Sequence, residues 1–163
     1  MEVFAALTLF SFGVLGYHYG LYPLLMAAWA RRQRPSTPPP LFTPPVSLII
    51  AAYNEAPVIA AKLENSLALA YPPDLLQIIV VTDGSTDGTP ALASSYVNQG
   101  VKLLHESQRR GKSAAINRAM SAATGEIVVF SDANAFYRPD ALLKVTRHFQ
   151  NGRVGGVSGQ KTV

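Results

Sequence analysis

The chain has 163 residues, 48% of them hydrophobic and 15% charged, with a formal net charge of +4. Globular sequences average about a quarter charged residues, so this composition excludes a plain soluble domain and demands a concentrated apolar segment. There is no cysteine, which excludes disulfides, thiolate metal sites and a cysteine nucleophile.

The apolar excess lies at the start. Residues 3–30 contain no Asp, Glu, Lys or Arg, and Glu2 and Arg31 bound the run. About 20 apolar residues cross a bilayer core, so residues 1–30 are predicted to form one transmembrane anchor. A signal peptide places its positive charges ahead of a shorter apolar core; here they follow a longer one. Tyr17, Tyr19, Tyr22 and Trp29 suit an interfacial aromatic belt, His18 reads as an interfacial or packed ring, and Pro23 marks a kink or an interfacial end. Arg31, Arg32 and Arg34 place the following chain inside by the positive-inside rule. The expectation is a single-pass protein of the cell (inner) membrane with its globular part in the cytoplasm.

Residues 31–45 form a basic, proline-rich juxtamembrane linker. PSTPPPLFTPP (35–45) has six prolines in eleven positions and favours extended polyproline II. Beyond residue 34 there are 11 basic and 9 acidic residues, a near balance. The local basic cluster is Arg109, Arg110 and Lys112. Without a basic face, no nucleic-acid partner is expected.

From residue 46 onward the pattern alternates. VSLIIAA (46–52) reads as a strand buried on both faces, followed by a helix over 56–69 and a turn at 71–74. LQIIVVT (76–82) is a second buried strand. A helix over 87–98 follows, with Thr86 or Asp87 as its N-cap. VKLLH (101–105) is a third strand, 112–122 a helix, and EIVVFSD (126–132) a fourth strand. Pro139 opens a helix over 139–149, and VGGVSG (154–159) is predicted as a fifth strand. Such alternation implies an α/β domain with a mainly parallel sheet and flanking helices.

Ligands of open α/β sheets bind at the carboxyl ends of the strands. Strand one delivers Tyr53, Asn54 and Glu55 there; strand two delivers Asp83, Gly84, Ser85, Thr86 and Asp87; strand four delivers Asp132, Ala133 and Asn134. Taken alone, DGSTDGT is better explained as a turn and helix cap, and SDAN as an Asx-turn. Their convergence on one sheet edge favours a site. Asp132 and Asn134, two apart, can both offer oxygen to a hard divalent cation. Arg109, Arg110, Gly111 and Lys112 precede a helix, where a phosphate can bind, although a solvated basic loop uses the same residues. Position 106 is Glu rather than Gly, so Gly111-Lys112-Ser113 is no P-loop, and no G-x-G-x-x-G follows the first strand.

VSLIIAAYNE (46–55), VVTDGSTDGT (80–89), RRGKSAAINRAM (109–120), GEIVVFSDAN (125–134) and RPDAL (138–142) resemble, in order and spacing, family 2 glycosyltransferases with the GT-A (Rossmann-like) fold. The resemblance covers about residues 46–159, and the anchor resembles that of the membrane-bound, polysaccharide-synthesising branch. It implies transfer from a nucleotide-sugar, a UDP-sugar first, to a glycan or lipid acceptor at the cytoplasmic membrane face, with inversion. It implies that Ala52, Tyr53, Asn54 and Glu55 line the nucleoside pocket. Asp83, in a turn with Gly84 and Ser85, would bond the nucleobase edge, and Lys112 would face the base or the diphosphate. Asp132 and Asn134 hold the D-x-D position, which binds ribose and diphosphate through Mn²⁺ or Mg²⁺. Two positions depart from the pattern: Thr82 where an acid often stands, and Asn134 where Asp is usual, a weaker ligand for a hard cation.

The family's catalytic base lies after D-x-D, in the acceptor half. No acidic residue follows Asp140, and the family's Q-x-x-R-W segment does not occur. Residues 46–163 are therefore expected to be a nucleotide-sugar-binding domain lacking its acceptor half, with the base beyond Val163 and no transfer by this chain alone. Two alternatives stand beside this one. A non-catalytic, membrane-anchored nucleotide-binding module is distinguished by what the gene encodes next. A sugar nucleotidyltransferase would need a Gly-rich basic loop after strand one, where AAYNEAP stands.

Overall fold

Strand β1 (Val46–Ala52) lies inside the sheet because both of its faces can be buried. Its burial is continuous apart from a half-buried Ala51. It lies between β2 (Leu76–Asp83) and β4 (Ile127–Asp132), and β3 (Val101–Glu106) extends the sheet beyond β2. All three pairings are parallel; Ile49 faces Ile79 on one side and Phe130 on the other. The structure, a computed structural model, describes residues 1–33 and 40–159. Arg34 and the proline-rich stretch through residue 39 lie outside the described residues. The chain divides into two compact units, Met1–Pro38 and Pro39–Val163.

Alternation along β1 sends side chains to opposite faces. Leu48, Ile50 and Ala52 join Ile59 and Leu63 of helix α3 (Ala56–Leu67) in one cluster. Ile49 joins Ile79, Val81 and the small residues Ala115 and Ala119 of α5 (Lys112–Met120) in the other. Ile59 and Leu63 are one helical turn apart and fully buried; each contributes about 1.5–3 kcal/mol by burial.

In the first unit, α1 (Glu2–Gly16), a π-helical turn (Tyr17–Leu21) and α2 (Tyr22–Gln33) run on without a break. Pro23 has no N–H to donate one turn back, and the Tyr22 N–H reaches five residues to the Tyr17 carbonyl. Thr8 and Ser11 donate their hydroxyls to the Phe4 and Leu7 carbonyls, each at 2.8 Å, so α1 leaves neither hydroxyl unpaired. The helical stretch Glu2–Arg32, with mean hydropathy 1.3, is long and apolar enough to cross a membrane.

Several predicted elements are shorter than expected. The helix expected over 87–98 is α4 (Thr89–Ser94) followed by a 3-10 turn (Val97–Gln99). Its N-cap is Gly88, not Thr86 or Asp87. The helix over 139–149 becomes α6 (Ala141–Thr146) and a 3-10 turn (Arg147–Gln150), with Asp140 at the N-cap. Pro139 stays outside it, its carbonyl accepting the Ala70 N–H at 2.8 Å. Residues 154–159 form no strand. Gly155, Gly156 and Gly159 leave too little side chain to hold one, and β4 has no further neighbour among the described residues.

Residues 40–44, by contrast, are tied down. The Tyr71 hydroxyl donates to the Pro44 carbonyl at 2.6 Å, and the Thr146 hydroxyl to Phe42 at 2.7 Å.

Lys62 is fully buried on α3. Its ammonium donates to the Ala135 carbonyl and lies 4.0 Å from the centroid of the Tyr137 ring. Desolvation lowers its pKa from 10.5 to about 8. Between pH 8 and 10.5 the unfolded chain holds a proton the folded chain has released, so stability rises with pH across that window. Chemical denaturation of wild type and Lys62→Met should show the difference moving in favour of wild type over this range, by up to about 3 kcal/mol.

Candidate functional site

The chain runs outward from β1 to β3, then crosses to the opposite side of β1 to form β4. The strand order therefore reverses between β1 and β4, and at such a switch point an open α/β sheet leaves a crevice beyond the strand ends. A cleft of about 390 Å³ occupies this position. Ala52 lines it from the end of β1 and Tyr53 and Glu55 from the loop after it, Asp83 from β2, Arg109 and Lys112 from the loop and helix after β3, Asp132 from the end of β4 and Asn134 from the turn beyond.

Asp83 is 6% exposed. Its two carboxylate oxygens accept the Arg110 N–H at 3.1 and 3.0 Å, and Oδ2 also accepts the Gly111 N–H at 2.7 Å. The acid thus anchors the 109–111 loop while retaining lone-pair capacity toward the cleft. Gly84 follows with φ +66. A Cβ there would stand 2.6–2.8 Å from the Cβ, N and Cα of Arg109, so only glycine permits the two loops to meet. Gly111, at φ +94, then turns the chain into α5.

The β1 and β2 loops are joined by side chains. Asn54, the single non-glycine residue with positive φ among those described, receives the Thr86 N–H on its Oδ1 at 2.9 Å. The Asn54 N–H donates to Ser85 Oγ at 3.2 Å, and the Glu55 N–H to Thr89 Oγ1 at 2.9 Å. Asp87 accepts the Ala56 N–H on Oδ2 and the Thr89 N–H on Oδ1, both at 3.0 Å. It therefore accepts the first N–H of both α3 and α4, while Glu55 and Gly88 stand at their N-cap positions. The Thr89 hydroxyl, with these N–H groups, holds the Asp87 carboxyl below its ordinary pKa. Asn54, Gly84 and Ser85 thus build the wall, while seven other predicted residues line the cleft.

Two cationic contacts shape the opening. The Arg109 guanidinium lies 3.9 Å from the centroid of the Tyr53 ring. Lys112 Nζ lies 2.7 Å from Asp132 Oδ1, with both side chains largely exposed. Exposed pairs contribute little, so Lys112 and Asp132 can each exchange this partner for a ligand group. Asp132 and Asn134 supply one carboxylate and one amide oxygen, a hard set that fits Mg²⁺ or Mn²⁺ completed by phosphate and water. Among the described residues no three His, Cys, Asp or Glu side chains converge as a complete metal cage. Arg109 over Tyr53 and the contact of Asp87 with Ala56 had no signature in residue spacing, because each joins loops far apart in the chain.

Comparison with known proteins gives a consistent set. The family described as "Glycosyl transferase family 2" matches residues 47–163. A beta-monoglucosyldiacylglycerol synthase from Nostoc sp. is 36% identical over 124 residues, 74% of this chain and 26% of that protein. A poly-beta-1,6-N-acetyl-D-glucosamine synthase from Staphylococcus epidermidis is 30% identical over 120 residues, 72% of this chain and 29% of that one. A mannosyltransferase from Pyrobaculum calidifontis, solved in complex with GDP-Man and Mn²⁺, superposes with TM-score 0.76 at 37% identity. The match covers 88% of this chain and 44% of the mannosyltransferase. Residues 1–349 of TarS from S. aureus share the fold at TM-score 0.61 and 23% identity, over 71% of this chain and 38% of that chain. The chain spans roughly a quarter to a third of the length of the curated relatives it matches.

Two outcomes test the loop architecture. Gly84→Ala should lower stability by about 1–3 kcal/mol, since it strains a positive φ and strikes the Arg109 backbone; thermal unfolding measures it. Asp87 carries a depressed pKa, so its contribution is full above the unfolded value of 3.8 and is lost as pH falls through the lower folded value. Melting temperature followed from pH 6 to pH 2 should therefore fall more steeply for wild type than for Asp87→Asn.

Proposed function

This chain belongs to glycosyl transferase family 2, and we propose that its cleft binds the nucleoside diphosphate of a sugar donor together with a divalent cation. The observation that carries the reading is the meeting of Asp83, Lys112, Asp132 and Asn134 in one cleft at the switch point of a parallel sheet. The GDP-Man and Mn²⁺ held by the similar mannosyltransferase support it. A UDP-sugar remains the first expectation, and a GDP-sugar is the second arm of the test.

In this reading Ala52, Tyr53 and Glu55 form the nucleoside side of the cleft, supported from behind by Asn54, Gly84 and Ser85. Asp83, neutralised in part by two main-chain N–H groups, accepts from the base edge. Lys112 leaves Asp132 to meet a phosphate as a mobile positive charge. Asp132 and Asn134 would hold Mn²⁺ or Mg²⁺. A bound cation stabilises negative charge on the departing nucleoside diphosphate.

Sugar transfer with inversion needs a carboxylate to take the acceptor proton. Asp140, the acid after Asp132, is paired with Lys144 at 2.5 Å and stands at the N-cap position of α6, outside the residues that line the cleft. In this reading the base comes from the remainder of the whole protein, and residues 1–163 bind donor without transferring it. The whole protein is proposed to use a glycan or lipid acceptor at the cytoplasmic membrane face. Helix Glu2–Arg32 would be its single-pass anchor in the cell membrane.

Calorimetry of the full chain in detergent against UDP, GDP and dTDP and their sugars, with and without Mn²⁺, checks this. One nucleotide class should bind, more tightly with Mn²⁺. Asp132→Ala should weaken the Mn²⁺-dependent part roughly tenfold or more, the loss of a charge-assisted contact. Asn134→Asp should strengthen Mn²⁺ binding. Absence of binding to every nucleotide, or release of sugar by the chain itself, contradicts the respective half of the proposal.

A further inference from the structure

The turn that carries Asp132 and Asn134 is short and polar, and little of its own structure fixes it. Its first residue is held by β4, where Asp132 is in register with Ala51. The turn closes through the Ala135 N–H to the Asp132 carbonyl at 3.2 Å, and Ala133 is buried beneath it. Nothing in this set fixes the chain beyond the Ala135 N–H. That task falls to α3, on the far side of the sequence.

Two side chains of α3 reach the turn. The Lys62 ammonium donates to the Ala135 carbonyl, immediately after Asn134, and lies against the Tyr137 ring. Asn65 brackets the Tyr137 peptide: its Nδ2 donates to the Tyr137 carbonyl at 2.9 Å, and its Oδ1 accepts the Tyr137 N–H at 2.8 Å. No carboxylate pairs with Lys62 among the described residues. A buried ammonium without a counter-charge is costly, and an apolar side chain of similar length would fill the same space without that cost. What the apolar side chain would not supply is a donor to the Ala135 carbonyl.

We propose that Lys62 and Asn65 are positioning residues for the cation-facing turn, holding the chain beyond Asn134 so that Asp132 and Asn134 face the cleft together. The proposal rests on the reading of the cleft as a nucleoside-diphosphate and cation site. Neither side chain touches the ligand; both act through the main chain of residues 135–137. α3 also begins at Ala56, whose N–H is held by Asp87. One helix thus connects the nucleoside side of the cleft to its cation side.

The test uses the full chain in detergent and two variants, Lys62→Met and Asn65→Ala, with circular dichroism confirming that each folds. Hydrogen exchange read at residues 133–137 needs no nucleotide. It should be roughly fivefold to tenfold faster in each variant, as expected for a lost buried hydrogen bond, with β1 and β2 unchanged. Calorimetry with the nucleotide that wild type binds should show the Mn²⁺-dependent gain reduced, while affinity without Mn²⁺ is kept. Lys62→Arg, which restores a donor, should recover part of that gain. Unchanged exchange at 133–137 in both variants overturns the proposal, as does an intact Mn²⁺-dependent gain. If wild type binds no nucleotide, the reading of the cleft fails, and the exchange measurement still decides whether α3 holds the turn. Should Lys62→Met not fold, Asn65→Ala carries the same readouts.

Discussion

The carboxylate of Asp83 accepts main-chain N–H groups from Arg110 and Gly111, and the upper rim of the sheet depends on that anchor. One nearly buried acid at the end of β2 determines where the chain goes after β3. With the loop held there, Arg109 reaches the Tyr53 ring and α5 starts at Lys112, beside Asp132. The contact needs Gly84, because any larger residue would occupy the space of Arg109. A charge, a glycine and two backbone amides therefore decide the position of three cationic or aromatic side chains. Hydrogen bonds from N–H to an ionised carboxylate are roughly twice as strong as neutral ones, which suits this role.

Around that anchor the loops support one another without regular structure. Asn54, Ser85, Asp87 and Thr89 exchange hydrogen bonds between side chains and main chain across the β1 and β2 ends. Backbone groups that would otherwise face water are satisfied, and the rim is stiffened. The residues facing the cleft are then left with few obligations of their own. Lys112 and Asp132 share a single exposed pairing, easily given up. The division of labour is spatial: polar groups behind the rim hold shape, and those in front stay available.

Much of this was legible in the residues. The buried runs of β1 and β2 were readable because parallel strands covered on both faces are continuously apolar. The acids at strand ends were readable because each stops such a run. Less could be read where tertiary contact overrides local pattern. Asp87 looks like the cap of its own helix, yet it also serves α3, 31 positions back. VGGVSG has strand-like valines, but its glycines outweigh them, and among the described residues it does not pair with the free edge of β4. Lys62 sits in a helical run where a lysine ordinarily points to water. Nothing in its spacing announces that it is buried against Ala135 and Tyr137.

The span of that last contact bears on how the molecule assembles. Lys62 and Ala135 are 73 positions apart, and Asn65 and Tyr137 are 72 apart. Such contacts must wait until the intervening chain has been gathered in, because closing a long loop costs entropy before it returns any contact energy. β4 pairs with β1 across the whole segment that builds β2 and β3. The turn of Asp132 and Asn134 therefore rests on contacts that carry the loop-closure cost of that segment, the kind of span that slows folding.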